Sequence, residues 1–424
     1  MLYAAVFVLL LLMGVPIAFV LGISSLVFAI AEKIDLIAVP QRMFVGINKN
    51  VLMCIPFFIL AGNIMNTGGI TRRLVGFSMT LVGWVRGGLA MVCVITSMIF
   101  AGITGSAQAD AAALGSVLIP AMEKEKYDLD FAASVVTAAA VIGPIIPPSI
   151  MFVVFGVVGE VSIGALFTGG YVPGILIGVG LMVLSYVYAR KRNYPRGEKQ
   201  PFRHIFKTFI NAFPALMMPV IIVGGILSGI FTPTEAAAVS VLYSLIVGFF
   251  VYRELKPRHL PKMILEAAEL TTAVMLIMAT ATIFGWLLTY AQIPQKVTAA
   301  LLSVSDSPWV FLLLVNLLLL FVGTWMDPTA AIIVLVPILL PAAIKLGINP
   351  IHFGLVVSIN LIIGLATPPV GYILYITSAI GKISLERLSR AVWPFLLVEI
   401  AVLLLLTYLP WVGLAIPTYF GYTR

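Results

Sequence analysis

A pattern of glycines and prolines occurs twice in this chain, and its second copy lies 221 residues after the first. Gly102 recurs as Gly323, Pro120 as Pro341, Lys124 as Lys345, Gly143 as Gly364, and Pro147-Pro148 as Pro368-Pro369. Pro173 recurs as Pro394 without a gap, while upstream the offset is 223, so that Gly62 matches Gly285 and Ile70 matches Ile293. Matched Leu and Val say little between two apolar halves. Matched Gly and Pro are informative because they fix backbone geometry. Internal repeats interrupted at corresponding places point to the binding site of a secondary transporter.

The interruptions fall in apolar sequence. Of 424 residues, 61% are hydrophobic and 10% charged, which defines a polytopic membrane protein. A span needs about 20 apolar residues, so the chain holds roughly ten to twelve spans or re-entrant hairpins. The net charge of +8 follows from the positive-inside bias and calls for no nucleic acid. Cys54 and Cys93 sit in apolar runs and suggest no disulfide framework. His204, His259 and His352 show no metal-ligand spacing. The N-terminus lacks a basic region and a small-residue cleavage site, so it reads as a first span. No GxxxxGK[ST] loop is present, and energy must come from an ion gradient or from partners.

Residues 1–31 read as that first span, kinked at Pro16. The run Val51–Met65 is short for a crossing and is split by Pro56, which predicts a re-entrant hairpin with its tip near Asn50–Pro56, or a short tilted span. Residues 75–100 form a span, with Arg86 near its end snorkelling to the interface. The densest basic segment, Arg190–Lys207, belongs in the cytoplasm. Two apolar runs, 209–231 and 234–252, then lead to a second basic segment at Arg253–Lys262. Two crossings return the chain to the side it left, so both basic segments face the same way. A last span is expected at 394–416.

The chemistry lies in the interruptions. GITGSAQAD carries Gly102, Thr104, Gly105, Ser106, Gln108 and Asp110. A broken helix survives in lipid only where protein or a watery cavity satisfies its freed backbone. Freed carbonyls and the Thr104 and Ser106 hydroxyls suit Na⁺, and the N-terminus of the resuming helix attracts an anion. GTWMDPTAA repeats the design with Thr324, Asp327 and Thr329, and Pro328 suits a first helical turn. A small-residue packing face accounts for Gly and Ser but not for Asp and Pro beside them. Asp110 and Asp327 are costly in lipid and so are functional candidates. They do not superpose: Asp110 falls on Ala331, and Asp327 on Ser106. One could ligate a cation and the other hold its loop, and the assignment stays open. The Pro147-Pro148-Ser149 and Thr367-Pro368-Pro369 elements either complete cation sites, through the Gly143 and Gly364 carbonyls and the Ser149 and Thr367 hydroxyls, or are ordinary kinks. Asn63 and Asn360 are further polar groups in apolar runs, which either serve the site or simply cap or cross-link helices; Glu235 is a first-turn acid of a helix capped by Thr232 or Thr234; Glu123–Asp130 is a solvated loop.

The expected Na⁺ ligands are therefore Gly102, Ser106, Asp110, Gly143, Thr324, Asp327, Gly364 and Thr367. The expected substrate-binding residues are Thr104, Ser106, Gln108, Ser149 and Thr329. No catalytic residue and no organic cofactor are expected.

IPFFILAGNIM, FAGITGSAQAD, GPIIPPSIMF, GIFTPTEAAA, GTWMDPTA and ATPPVG resemble, in this order, the large membrane subunit of tripartite ATP-independent periplasmic (TRAP) transporters. The resemblance covers nearly the whole chain. It implies an all-α elevator-type transporter of the bacterial inner membrane, built from two inverted repeats, each with a re-entrant hairpin and a broken helix. It also implies Na⁺-driven import of an organic acid delivered by a periplasmic substrate-binding protein, and a small membrane subunit as partner. That subunit is expected to be separate, because Met1 opens directly in the large-subunit pattern. The family handles sialic acids, C4-dicarboxylates and other carboxylates; sialic acid is the preferred candidate here. The division expected is an N-terminal scaffold span (1–40), a first repeat (41–189), a basic linker with two scaffold spans (190–260), a second repeat (261–394) and a C-terminal span (395–424). Two rivals are a stand-alone divalent-anion/Na⁺ symporter and an intramembrane aspartyl protease using Asp110 and Asp327. The second lacks a Gly-x-Gly-Asp setting.

Overall fold

In lipid a chain satisfies its backbone groups within helices or a closed barrel. In the computed structural model, which describes residues 2–304 and 306–423, this chain uses helices. The first span is divided: α1 (Leu2–Leu12) stops, Gly14 takes a positive φ, and Pro16 precedes α2 (Ile17–Ala31). Pro16 thus ends one helix and starts another rather than kinking one. Met1 lies outside the described residues. Next come α3 (Ala38–Ile47), a 3-10 turn (Asn50–Met53) and α4 (Cys54–Thr67). Helices α3 and α4 both pack on α13 (Leu260–Tyr290), not along each other, so no hairpin has its tip at Asn50–Pro56. Pro56 sits in the first turn of α4, where its missing N–H costs nothing.

The hairpin lies farther on. After α5 (Ile70–Val82), helices α6 (Gly88–Thr104) and α7 (Ala107–Lys124) pack on each other and are joined by Gly105-Ser106 alone. Residues 75–100 are therefore two helices, and Arg86 lies exposed in the turn between them, donating to the Asn193 side chain at 3.3 Å. The discontinuous helix is the next one. α8 (Leu129–Val141) and α9 (Ile150–Val158) are separated by the Pro147-Pro148 element and do not pack side by side. α10 (Ile163–Lys191) returns to the basic segment, and α11 (Phe202–Leu227) and α12 (Pro233–Ile246) leave it and come back.

After α13 and α14 (Ile293–Val304) the same order recurs. α15 (Pro308–Gly323) and α16 (Pro328–Lys345) meet around a tip at Thr324–Asp327; α17 (Pro350–Gly364) and α18 (Tyr372–Gly381) are separated by the Pro368-Pro369 element. α19 (Leu385–Tyr408) and α20 (Trp411–Tyr419) close the chain. Pro394 is inside α19, and residue 40 is inside α3, so divisions drawn at 394 and 40 cut helices; the last long helix starts at Leu385.

The outer ends of the two hairpins lie near opposite ends of α19. The outer end of α6–α7 is beside the basic segment, where Arg192 pairs with Asp128 at 2.7 Å. Arg387, at the start of α19, is 3.7 Å from Asp130 on that side. At the other end of α19, Tyr408 packs on Trp309 at the start of α15, with ring centroids 5.7 Å apart. The halves interlock: α9 packs on α16, and α18 on α7.

Buried polar groups serve as pins. Asn360 donates to the Asn316 side chain at 2.7 Å, and Asn316 donates to the Thr407 hydroxyl at 3.0 Å, so Asn360 cross-links α17, α15 and α19. The hydroxyls of Thr137 and Thr377 meet at 2.7 Å between α8 and α18. Thr232 and Glu235 form a reciprocal cap on α12. Glu123–Asp130 is not simply solvated: Tyr127 is buried, and its ring stacks on Tyr194 at 4.4 Å. Cys54 and Cys93 are free and buried. By length and composition, seven of the described helical segments can cross a membrane, and several shorter apolar helices accompany them.

Candidate functional site

The hairpin tips and helix breaks meet. Gly105 has a φ of 60°, the left-handed region glycine favours, and it lies against the Pro148 carbonyl. The α6–α7 tip is therefore seated on the α8–α9 break. In the other half the Gly371 amide donates to the Thr324 carbonyl at 3.0 Å, and a Cβ on Gly323 would stand 3.2 Å from the Gly364 Cα. The α15–α16 tip is likewise seated on the α17–α18 break.

Between these loops is a cavity of about 770 Å³. Thr104, Ser106, Gln108, Thr324, Asp327 and Thr329 line it, which brings together six of the residues singled out in the sequence. The N-termini of four helices also reach it: α7 through Ala107–Ala109, α9 through Ile150 and Met151, α16 through Thr329, and α18 through Tyr372. No Lys or Arg is among its described lining residues. A helix N-terminus carries roughly half a positive charge, and the Asp327 carboxylate, also in the lining, caps one of the four. The other three favour an anion although no cationic side chain is among the described lining residues.

Three of the candidate side chains are helix caps. The Ser106 hydroxyl accepts from the Ala109 amide at 3.4 Å and donates to the Gln108 side chain at 3.2 Å. The Ser149 hydroxyl accepts from the Phe152 amide at 3.3 Å. Asp327 Oδ1 accepts from the Thr329 and Ala330 amides at 2.9 and 3.2 Å. The caps fix each loop where its helix resumes.

The other expected residues are behind the cavity. Asp110 is fully buried; its Oδ1 accepts from the Thr104 hydroxyl, and its Oδ2 faces Gly143 without a hydrogen-bond partner. It braces the α6–α7 tip from within. Gly102 packs against the Pro219 ring of α11. The Gly364 carbonyl accepts from the Thr367 amide at 3.0 Å, and the Thr367 hydroxyl donates to the Ile363 carbonyl at 2.9 Å. Asp110 and Asp327 occupy separate settings and form no proton-sharing pair.

The opposite wall is α4 and α13, contributing Ile59, Asn63, Asn66, Leu270 and Val274. The sequence marked Asn63 as polar in an apolar run without placing it in the site. The signal available was its spacing: Asn63 and Asn66 are three residues apart, on one face of a helix.

Interrupted helices that meet at one cavity in a helical membrane bundle are an arrangement found in secondary transporters. The chain matches the family model described as "Tripartite ATP-independent periplasmic transporter, DctM component" over residues 4–412, and it belongs to that family. It is 43% identical over 415 residues, 97% of each chain, to the sialic acid TRAP transporter large permease protein SiaM of Vibrio cholerae. It is 44% identical over 422 residues to the isethionate TRAP transporter permease protein DctMQ of Oleidesulfovibrio alaskensis, covering 98% of this chain and 65% of that one. Among solved structures, the YdaH transporter of Alcanivorax borkumensis aligns with a TM-score of 0.61 at 14% identity, over 89% of both chains; that likeness concerns the fold. The protein is thus a multi-pass permease of the bacterial inner membrane and not an enzyme, which removes the protease reading.

Proposed function

We propose that this permease couples Na⁺ to the import of an organic anion delivered by a periplasmic substrate-binding protein. One observation carries the reading: four helix N-termini converge on a cavity with no Lys or Arg among its described lining residues. A charge at membrane depth must be neutralised. The helix ends supply part of that, and Na⁺ bound beside the tips supplies the rest. Ser106, Thr324, Asp327 and the carbonyls at Gly102, Gly143 and Gly364, with Thr367, are the oxygen donors proposed for Na⁺. Asp110 has one buried carboxylate oxygen without a partner, which favours it as a further ligand. Thr104, Ser106, Gln108, Ser149 and Thr329 are proposed for the anion.

The acids named for the two relatives, sialic acid and isethionate, each carry an anionic group and further hydroxyl oxygen. C4-dicarboxylates carry a second carboxylate. The proposed substrate class is therefore an organic anion with a second oxygen function, with sialic acid the preferred member. Inverted repeats and elevator motion are part of the proposal: hairpins whose outer ends lie near opposite ends of α19 suit a body carrying both tips past a wall built on α4, α12 and α13. A small membrane subunit is the expected partner. The DctMQ relative is longer than this chain, which fits a fusion of the two there.

The test is uptake into proteoliposomes of a panel of acids, with and without Na⁺ and the binding protein. Uptake should need both. Uptake without the binding protein would favour the stand-alone symporter.

A further inference from the structure

We infer that Asn63 reads the substrate from the α4 wall, its side-chain amide hydrogen-bonding the second oxygen function of the bound anion. This deepens the transport reading above and rests on it. Helix α4 approaches the α6–α7 tip closely: a Cβ on Gly62 would stand 3.4 Å from the Thr104 Cα. Asn63 is the next residue and lines the same cavity as Thr104 and Ser106. Its neighbours on that wall, Ile59, Leu270 and Val274, are apolar. Asn66 also lines the cavity, but its Oδ1 already accepts from the Thr71 hydroxyl at 2.9 Å. Asn63 Nδ2 is shielded from solvent and has no partner in the protein.

Asn360, which joins helices, has its Nδ2 partnered twice although its Oδ1 has no partner. An amide N–H left without one costs stability; Nδ2 has no accessible surface in this arrangement, so a ligand in the cavity reaches it once the amide has turned about χ2. A half-turn about χ2 exchanges the amide N–H and oxygen, so the group serves a hydroxyl or a carboxylate. The anionic head stays with the helix ends across the cavity, and Asn63 meets the other end of the molecule. Since α4 is also packed on α12 and α13, this contact is made from the wall, by a helix that carries none of the residues proposed for Na⁺. Asn63 thus contributes to substrate choice and leaves ion dependence alone.

The experiment measures binding to the detergent-solubilised full chain in Na⁺. The probes are the acid of the panel that the native protein binds best and its analogue lacking the second oxygen function. Asn63→Leu should weaken the first about tenfold, the worth of one hydrogen bond. It should leave the analogue and the Na⁺ half-saturation unchanged. Asn63→Ser, a smaller change that keeps a polar group, should fall between them and covers the case in which the leucine variant fails to fold. Equal affinity for the acid in native and variant proteins, or equal loss for acid and analogue, would overturn the inference in favour of a packing role. A native protein that binds no acid of the panel would overturn the transport reading beneath it.

Discussion

The Gly371 amide reaches across to the Thr324 carbonyl at 3.0 Å, and so the break between α17 and α18 is tied to the tip between α15 and α16. Gly105 against Pro148 makes the corresponding contact in the other half. The loops around the cavity hold each other in place. Carbonyls and helix N-termini are thereby fixed before any ligand arrives, and preorganisation of this kind lowers the ordering cost of binding.

The caps at the tips should matter to the ion. Ser106→Ala and Asp327→Ala each remove a cap worth about 1 kcal/mol together with a proposed oxygen donor. Both should raise the Na⁺ concentration needed for half-maximal uptake while the protein stays folded. Titrating uptake against Na⁺ checks this, and an unchanged midpoint in both variants would take the ion away from these loops.

Thr104 holds Asp110 by a hydrogen bond in a fully buried setting. Thr104→Val keeps the shape and removes the donor, leaving both oxygens of Asp110 without one. The expected cost is about 1–3 kcal/mol, seen as a lower melting temperature in detergent. Thr104→Ser should restore most of it. Equal stability of the valine and serine variants would contradict the bracing role.

Much of the fold was legible because glycine and proline constrain the backbone directly. The matched Pro147-Pro148 and Pro368-Pro369 elements do interrupt helices, and the polar runs at Thr104 and Asp327 do meet at one cavity. What misled was apolar length. Val51–Met65 is short for a crossing and is split by Pro56, which predicts a hairpin there or a short tilted span; with the 3-10 turn the helical segment runs Asn50–Thr67, long and apolar enough to cross. The hairpin tip is instead Gly105-Ser106, which the sequence presents as a break within one helix. Sequence cannot separate these cases, since a two-residue interruption serves a fold-back as well as a collinear break. Tertiary packing of α6 on α7 decides. Asp110 was ambiguous for the same reason: its Thr104 partner is six residues away, and only the folded tip brings them together. The sequence leaves Asn63 open because its significance lies in what it faces.

Sidedness gives a labelling prediction. Single cysteines within Arg190–Lys207 or Arg253–Lys262 should react only with reagent added from the cytoplasm. A cysteine at Lys345, at the outer end of α16, should react only from the periplasm. Periplasmic labelling of either basic segment would show that the orientation is reversed.

At the basic face, the Tyr194 hydroxyl and Arg192 hold the Asp128 carboxyl below its ordinary value of 3.8. A depressed carboxylate contributes stability above its unfolded-state value and loses it as pH falls through the folded-state value. The turn between α7 and α8 should therefore stay tied to the end of α10 at neutral pH and loosen only once the pH falls below about 4. Labelling of a cysteine at Lys126 should rise there in the native background. In Asp128→Asn it should already be raised at neutral pH and change little with acid. The same pH profile in both would contradict the role given to Asp128.

The central claim is that Na⁺ and helix ends share the neutralisation of an anion that no basic side chain meets. Substrate binding to the solubilised protein, measured while Na⁺ is replaced by choline at constant ionic strength, tests it most directly. Affinity should fall at least tenfold as Na⁺ is withdrawn and return when it is restored, since roughly a full charge is lost from beside the anion. Full affinity in choline would contradict the claim and would require a side-chain cation at the cavity.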